Sequence, residues 1–175
     1  MKKPFKNKKP RLEGWDYSAP GYYFITLVTY QRECIFGKIE GQKMILSSIG
    51  EIIKEEWLKS FEMREELFCD SWVIMPNHIH AILKIIRKES QSDKDQAVIN
   101  HGVACRPPRS VSSFVAGFKS SATKRINLFR NTPGKKVWQD RFHDHIIKNT
   151  DGYQNIHNYI LNNPLNWQDD RYHCR

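Results

Sequence analysis

Apolar positions along the chain change period several times, and each change marks an element. Tyr22-Tyr23-Phe24-Ile25-Thr26-Leu27-Val28-Thr29-Tyr30 is short and dense in aromatic and β-branched residues, which predicts a strand. Side chains alternate across a strand, so Phe24, Thr26, Val28 and Tyr30 face away from Tyr23, Ile25, Leu27 and Thr29. Over 41–61 the period lengthens. Ile45, Ile49, Ile52, Ile53, Trp57 and Phe61 recur every three or four residues, while Lys43, Glu51, Lys54, Glu55 and Lys59 lie elsewhere, as on an amphipathic helix packed against a sheet. Two apolar runs around Pro76-Asn77 then predict a β-hairpin over 67–86. Its second strand puts Ile79, Ala81, Leu83 and Ile85 on one face and His78, His80, Ile82 and Lys84 on the other. Pairing across the turn sets Val73 beside His80 and Asp70 beside core-facing Leu83. The second pairing is awkward for a carboxylate, so the first strand is expected to begin after Asp70 or to carry a bulge.

Residues 87–109 are polar, charged and without period, which suggests a flexible insertion. A second helical stripe follows in Val111, Phe114, Val115, Phe118, Ala122, Ile126 and Phe129, with Ser110 placed to cap it. After Pro133-Gly134 the run Phe142-His143-Asp144-His145-Ile146-Ile147 predicts a last strand. A helix over 150–163 buries Tyr153, Ile156 and Ile160, and Pro164 ends it because the residue before proline is pushed out of the helical region.

The 175 residues are most simply one domain spanning 1–175, and an apolar fraction of 39% supports a packed core rather than a disordered chain. Charge adds a partner to this picture. With 28 Lys and Arg against 19 Asp and Glu, the net charge is +9, which favours polyanions. The basic start, Lys2, Lys3, Lys6, Lys8, Lys9 and Arg11, reads as an arm that contacts phosphate or as a solvated tail, and Lys119, Lys124 and Arg125 on the second helix allow the same two readings. Four scattered cysteines without a Cys-x-x-Cys suggest free thiols in a reducing compartment, and no apolar run approaches the roughly 18 residues of a membrane span. The expected location is the cytoplasm.

Candidate chemistry begins with His78 and His80. Two imidazoles two apart on one strand point the same way and can share a metal ion, although a strand can also carry two histidines without function. The second pair, His143 and His145, brackets Asp144 rather than an apolar anchor and is set aside as a ligand pair, though His145 could still line the site. On the last helix Tyr159 and Asn163 are four apart, on one face with Asn155. A phenol beside a metal-activated phosphodiester can attack in line and form a phosphotyrosine, and an Asn oxygen one turn away could complete the coordination of Mg²⁺ or Mn²⁺. The plain alternative is an ordinary tyrosine on an amphipathic helix.

Four patches together carry a resemblance: Pro20-Gly21-Tyr22-Tyr23-Phe24-Ile25-Thr26, Met75-Pro76-Asn77-His78-Ile79-His80, Trp138 with Asp144-His145-Ile146-Ile147, and Tyr159-Ile160-Leu161-Asn162-Asn163-Pro164-Leu165-Asn166-Trp167. The sequence resembles the single-tyrosine HUH transposases of insertion-sequence type, most closely the REP-associated tyrosine transposases. The resemblance implies an α+β fold, a ferredoxin-like β-α-β-β-α-β antiparallel sheet with an additional C-terminal helix carrying the catalytic tyrosine. It also implies metal-dependent cutting and rejoining of single-stranded DNA at hairpins of repeated extragenic palindromes through a 5′-phosphotyrosine. By motif, His78 and His80 would be metal ligands and Tyr159 the nucleophile. Asn163 would be the third ligand, where insertion-sequence relatives usually carry Gln. Residues 1–19 would form a DNA-binding arm, and the protein would act as a monomer, with a dimer as the alternative. Two rival readings stay open, a non-catalytic single-strand-binding module with an RNA-recognition-like sheet and a metal-dependent phosphodiesterase that uses water.

Overall fold

The computed structural model describes residues 16–86 and 109–173. The arm through residue 15 and the insertion from 87 through 108 lie outside the described residues. The elements in chain order are β1 (Gly21–Val28), β2 (Gly37–Glu40), β3 (Lys43–Leu46), α1 (Ser48–Glu62), β4 (Leu67–Met75), β5 (His78–Ile85), α2 (Val111–Arg130), β6 (His143–Ile147) and α3 (Thr150–Asn162). Four strands form one antiparallel sheet in the order β4-β5-β1-β6, while β2 and β3 make a separate hairpin. With that hairpin set aside, the chain runs β-α-β-β-α-β and then α3. This is the ferredoxin-like order.

Alternation gives the sheet two unlike faces. Tyr23, Ile25 and Leu27 of β1 and Ile79, Ala81 and Leu83 of β5 pack against Ile53 and Trp57 of α1 and Val111, Phe114, Phe118 and Ala122 of α2. Trp57 is the centre of this layer, meeting Phe114 and Phe118 edge-on at 5.5 and 5.0 Å. The other face presents Tyr22, Phe24 and Thr26 with His78, His80, Ile82 and Lys84, and α3 lies across it. The polar side of the hairpin is therefore covered rather than solvated.

The expected helix over 41–61 begins only at Ser48. Gly41 and Gln42, with φ of 54° and 64°, supply the two left-handed residues of a tight hairpin turn, so 43–46 pairs with 37–40 instead. Ser47 caps the helix, accepting from the Gly50 amide at 3.1 Å and donating to the Ile35 carbonyl at 2.7 Å. Gly50 is needed there, since a Cβ would sit 2.1 Å from the Phe36 carbonyl oxygen. Ile45 matches the helical period only because it stands four residues before Ile49, and in the structure it pairs with Lys38. Phe129 also leaves its expected stripe and is 58% exposed near the end of α2.

The register of β4 on β5 shifts between Cys69 and Ser71, so Asp70 is the extra residue of a bulge and never faces Leu83. Val73 does pair with His80. Cys69 is a free thiol that burial pushes up to about 12, whereas Cys34, expected as free, is disulfide-bonded. Among the described residues no helix is long and apolar enough to cross a membrane.

Arg125 works inside this fold. Its guanidinium reaches Glu55 at 2.7 Å and buried Glu56 at 2.9 Å, and the Ser121 hydroxyl also donates to Glu56. Burial alone would raise the Glu56 carboxyl, but Ser121 and Arg125 outweigh it and hold the pKa below its usual value. A depressed carboxylate contributes stability that is present above its unfolded pKa and lost as pH falls through the folded one. Urea unfolding of Arg125→Ala is expected to show a loss of about 1–3 kcal/mol at neutral pH, the cost of stripping a charged partner from a buried carboxylate. The loss should shrink as pH falls through the lowered folded pKa, below which the carboxyl is protonated in either protein. An Arg125→Ala protein as stable as wild type at pH 7 would remove this helix–helix clamp from the account.

Candidate active site

Strand alternation places both histidines on the α3 side, where each ring is pinned through Nδ1. Asn77, the last turn residue, donates its amide nitrogen to the carbonyls of Arg32 at 3.0 Å and Tyr172 at 2.7 Å. That fixes the amide orientation, so Asn77 Oδ1 is what meets His78 Nδ1 at 2.9 Å. An amide oxygen only accepts, hence His78 carries its proton on Nδ1 and presents a bare lone pair at Nε2. His80 Nδ1 meets the Thr26 hydroxyl at 2.9 Å, and Phe24 stacks on the His80 ring at 5.2 Å. Both Nε2 atoms then point into a common space.

Helix α3 and the segment that follows it deliver the rest. The Tyr159 hydroxyl lies 3.1 Å from His80 Nε2 and 3.2 Å from Asp170 Oδ2. The ring is 41% exposed, so solute reaches it from outside. Asn163 caps the C-terminal end of α3 and is buried. Its Nδ2 donates to Asp170 Oδ2 at 3.1 Å, which leaves Oδ1 without a hydrogen-bond partner among the described residues. His78 Nε2 likewise has none. The Asn163 amide nevertheless acts on His78, raising its pKa in opposition to burial. Two buried acceptors with no proton between them suit a cation. His78, His80 and Asp170 offer ligand atoms all within 4.8 Å of one another, and Asn163 Oδ1 adds a further oxygen. Two imidazole nitrogens with amide and carboxylate oxygens suit a divalent ion.

Electrostatics agree with that arrangement. Burial drives His78 down to about 4 despite the opposing Asp170 charge, and it drives His80 well below its usual value, with the His78 and Arg171 charges adding to the effect. Both rings are neutral near pH 7, the form that coordinates metal. Burial, followed by the Asp170 charge, pushes the Tyr159 phenol up to about 12, so it attacks only if something takes its proton.

His143 sits opposite Thr26, which sits opposite His80, so it shares their row and lies 6.3 Å from the Tyr172 ring. It is exposed and outside the clustered ligand atoms, as is His145 beside Phe24. Asn155 is exposed on α3 and takes no part. Lys2, Lys3, Lys6, Lys8, Lys9 and Arg11 lie outside the described residues. Helix α2 packs on the opposite sheet face from the histidines. There Lys119 donates to the carbonyls of Gln139 at 2.7 Å and Arg141 at 3.2 Å, Arg125 holds Glu55 and Glu56, and Lys124 is exposed. Sequence reasoning missed Asp170 and the ring-orienting roles of Asn77 and Thr26. The signal for Asp170 was slight, an Asp-Asp-Arg-Tyr run just beyond Trp167.

The sheet order, with a histidine pair under a helix-borne tyrosine, defines a protein with the fold of a REP-associated tyrosine transposase. A solved structure of that transposase bound to a REP hairpin superposes with a TM-score of 0.59 at 21% identity, covering 89% of this chain and 73% of that one. No family model matches the chain. The chain belongs to one family with an uncharacterized protein of Haemophilus influenzae, to which it is 33% identical over 169 residues, 92% of this chain and 89% of the relative.

Proposed function

We propose that the protein is a metal-dependent transposase that nicks and rejoins single-stranded DNA at hairpins of repeated extragenic palindromes, with Tyr159 as the nucleophile. The observation that carries this reading is the Tyr159 hydroxyl held 3.1 Å from Nε2 of His80, above a pair of neutral, inward-facing imidazoles. The fold shared with a transposase bound to a REP hairpin supports the substrate class. His78, His80 and Asn163, with Asp170 beside them, would hold a Mg²⁺ or Mn²⁺ ion, which supplies Lewis-acid activation of the phosphodiester when bound.

The residues then divide the work. Tyr159 Oη forms a bond to phosphorus as the bond from phosphorus to the 3′ oxygen breaks. The DNA is left with a 3′ hydroxyl, and the 5′ phosphate stays on the tyrosine. The phenol proton passes to the Asp170 carboxylate at 3.2 Å, and the departing 3′ oxygen gains a proton from water. The ester keeps the bond energy, so a 3′ hydroxyl attacking back rejoins a strand without an external energy source. The basic arm, with Lys124, contacts phosphates and supplies much of the affinity. The protein acts as a monomer in the cytoplasm.

The test is hairpin DNA with single-stranded flanks, labelled downstream of the cut and incubated with the protein and Mg²⁺. A heat-stable band of protein-linked label on a denaturing gel is expected, and it should vanish with EDTA. Cutting without a linked band would make water the nucleophile. Binding without cutting would leave a single-strand-binding module.

A further inference from the structure

The face of the sheet beneath α3 extends past the histidines. One cross-strand row there consists of Phe68 on β4, Lys84 on β5, Tyr22 on β1 and Ile147 on β6. The Lys84 ammonium lies over the Tyr22 ring, 5.2 Å from its centre. The first half of α3 crosses this row, and Tyr153 meets Tyr22 edge-on at 5.4 Å with the rings inclined by 70°. Tyr153 is held from its other end, since its hydroxyl donates to Asp70, the residue that the bulge in β4 pushes out of the ladder. Both rings are thus fixed before any ligand arrives.

A cleft of about 440 Å³ opens at this point, lined by Tyr22, Ile147, Lys148, Asn149, Tyr153 and Gln154. That volume lies within the usual range of small-ligand clefts, roughly 300–1,000 Å³. Two rings and an aliphatic side chain supply flat apolar contact, the Gln154 amide supplies a donor and an acceptor while Asn149 Oδ1 caps α3, and Lys148 supplies a cation. A planar heterocycle with a hydrogen-bonding edge and a phosphate attached matches that set, because stacking on aromatics and an ammonium nearby are how single strands are held. Tyr153 and Tyr159 are six residues apart on α3, which puts the cleft about 9 Å along the helix axis from the nucleophile at roughly 1.5 Å per residue. A strand rising about 3.4 Å per nucleotide when stacked covers that length in about three nucleotides, and in fewer when extended. None of these residues takes part in the chemistry at Tyr159.

We propose that this cleft binds one unpaired nucleobase of the substrate strand, within three nucleotides of the scissile phosphate, and so contributes to the sequence preference of cutting. The distance to the cut rests on Tyr159 being the nucleophile, while the base-binding role does not. Full-length protein is titrated by fluorescence anisotropy, in EDTA, with hairpin DNA in which an abasic residue is walked through each single-stranded flank. Wild type is expected to lose roughly 5- to 100-fold in affinity at one flank position, the cost of one base–aromatic stack. Tyr22→Ala should lose as much on intact DNA and then be indifferent to the abasic residue at that position, while Tyr22→Phe keeps the wild-type pattern.

Lys148→Ala with Gln154→Ala tests the same coupling from two solvent-facing positions, should Tyr22→Ala fold poorly. Losses that add independently at every position, in both variants, overturn the cleft. A linked DNA adduct without such coupling discards the cleft and keeps the transposase. Coupling without an adduct keeps the base site and discards the chemistry. Absence of single-strand binding discards both.

Discussion

Tyr159→Phe is expected to abolish the covalent DNA adduct while leaving the fold and hairpin binding in place. The substitution deletes one oxygen. The hydrogen bond to Asp170 and the polar contact with His80 Nε2 go with it, and the ring keeps its contacts with His80 and Phe24 at 5.1 and 6.2 Å. Because the side chain is partly exposed, the stability change should stay within about 1 kcal/mol. The attacking atom, by contrast, has no substitute in reach, and losing a nucleophile typically costs three or more orders of magnitude in rate. Adduct yield on a denaturing gel, measured beside hairpin affinity by anisotropy, separates these quantities. Tyr30→Phe is the control, a phenol change outside the site. If Tyr159→Phe cuts at the wild-type rate, the tyrosine is incidental and the histidine pair activates water.

Much of this site was legible because the signals were local. The alternation around Pro76-Asn77 is enough to put His78 and His80 on one face and Ile79, Ala81 and Leu83 on the other. It also flagged Asp70 as misplaced, and a bulge there is what the structure has. A spacing of four brought Tyr159 and Asn163 to one end of α3. What escaped depends on contacts distant in sequence. Nothing near Asn77 indicates that the carbonyls of Arg32 and Tyr172 orient its amide, and nothing near Arg125 marks it as the partner of Glu55 and Glu56, about 70 positions earlier. Counting charge treats Arg125 and Lys119 as free for phosphate, but packing has already engaged them. The β2–β3 hairpin was lost for a different reason. Ile45 and Ile49 fit a helical period, and the Gly41-Gln42 turn that breaks it shows only in backbone angles.

The histidines should prove separable from their supports by metal binding alone. His78→Ala and His80→Ala are each expected to remove the adduct and to weaken Mn²⁺ binding markedly but measurably, followed by electron paramagnetic resonance of the free ion at raised Mn²⁺ concentration. Hairpin affinity should persist, because phosphate contacts elsewhere carry most of it. His143→Ala, on a residue outside the ligand cluster, should keep most of the Mn²⁺ affinity. Asn77→Ala tests the support. It touches no substrate in this geometry, but it fixes the His78 tautomer, and loss of such a partner typically costs 10–100-fold in metal affinity. Asn77 also ties the turn to Arg32 and Tyr172, so a fall in stability by itself says nothing about the ion. The discriminating measurement is the double variant. Once His78 is alanine, Asn77→Ala should change Mn²⁺ binding no further, whereas a purely structural role would add its full cost again. Comparing Asn163→Ala with Asp170→Ala by the same titration ranks the two oxygens. Loss in the first with retention in the second assigns the third ligand to Asn163 and leaves Asp170 to take the Tyr159 proton. The reverse would make the carboxylate the ligand and require another base.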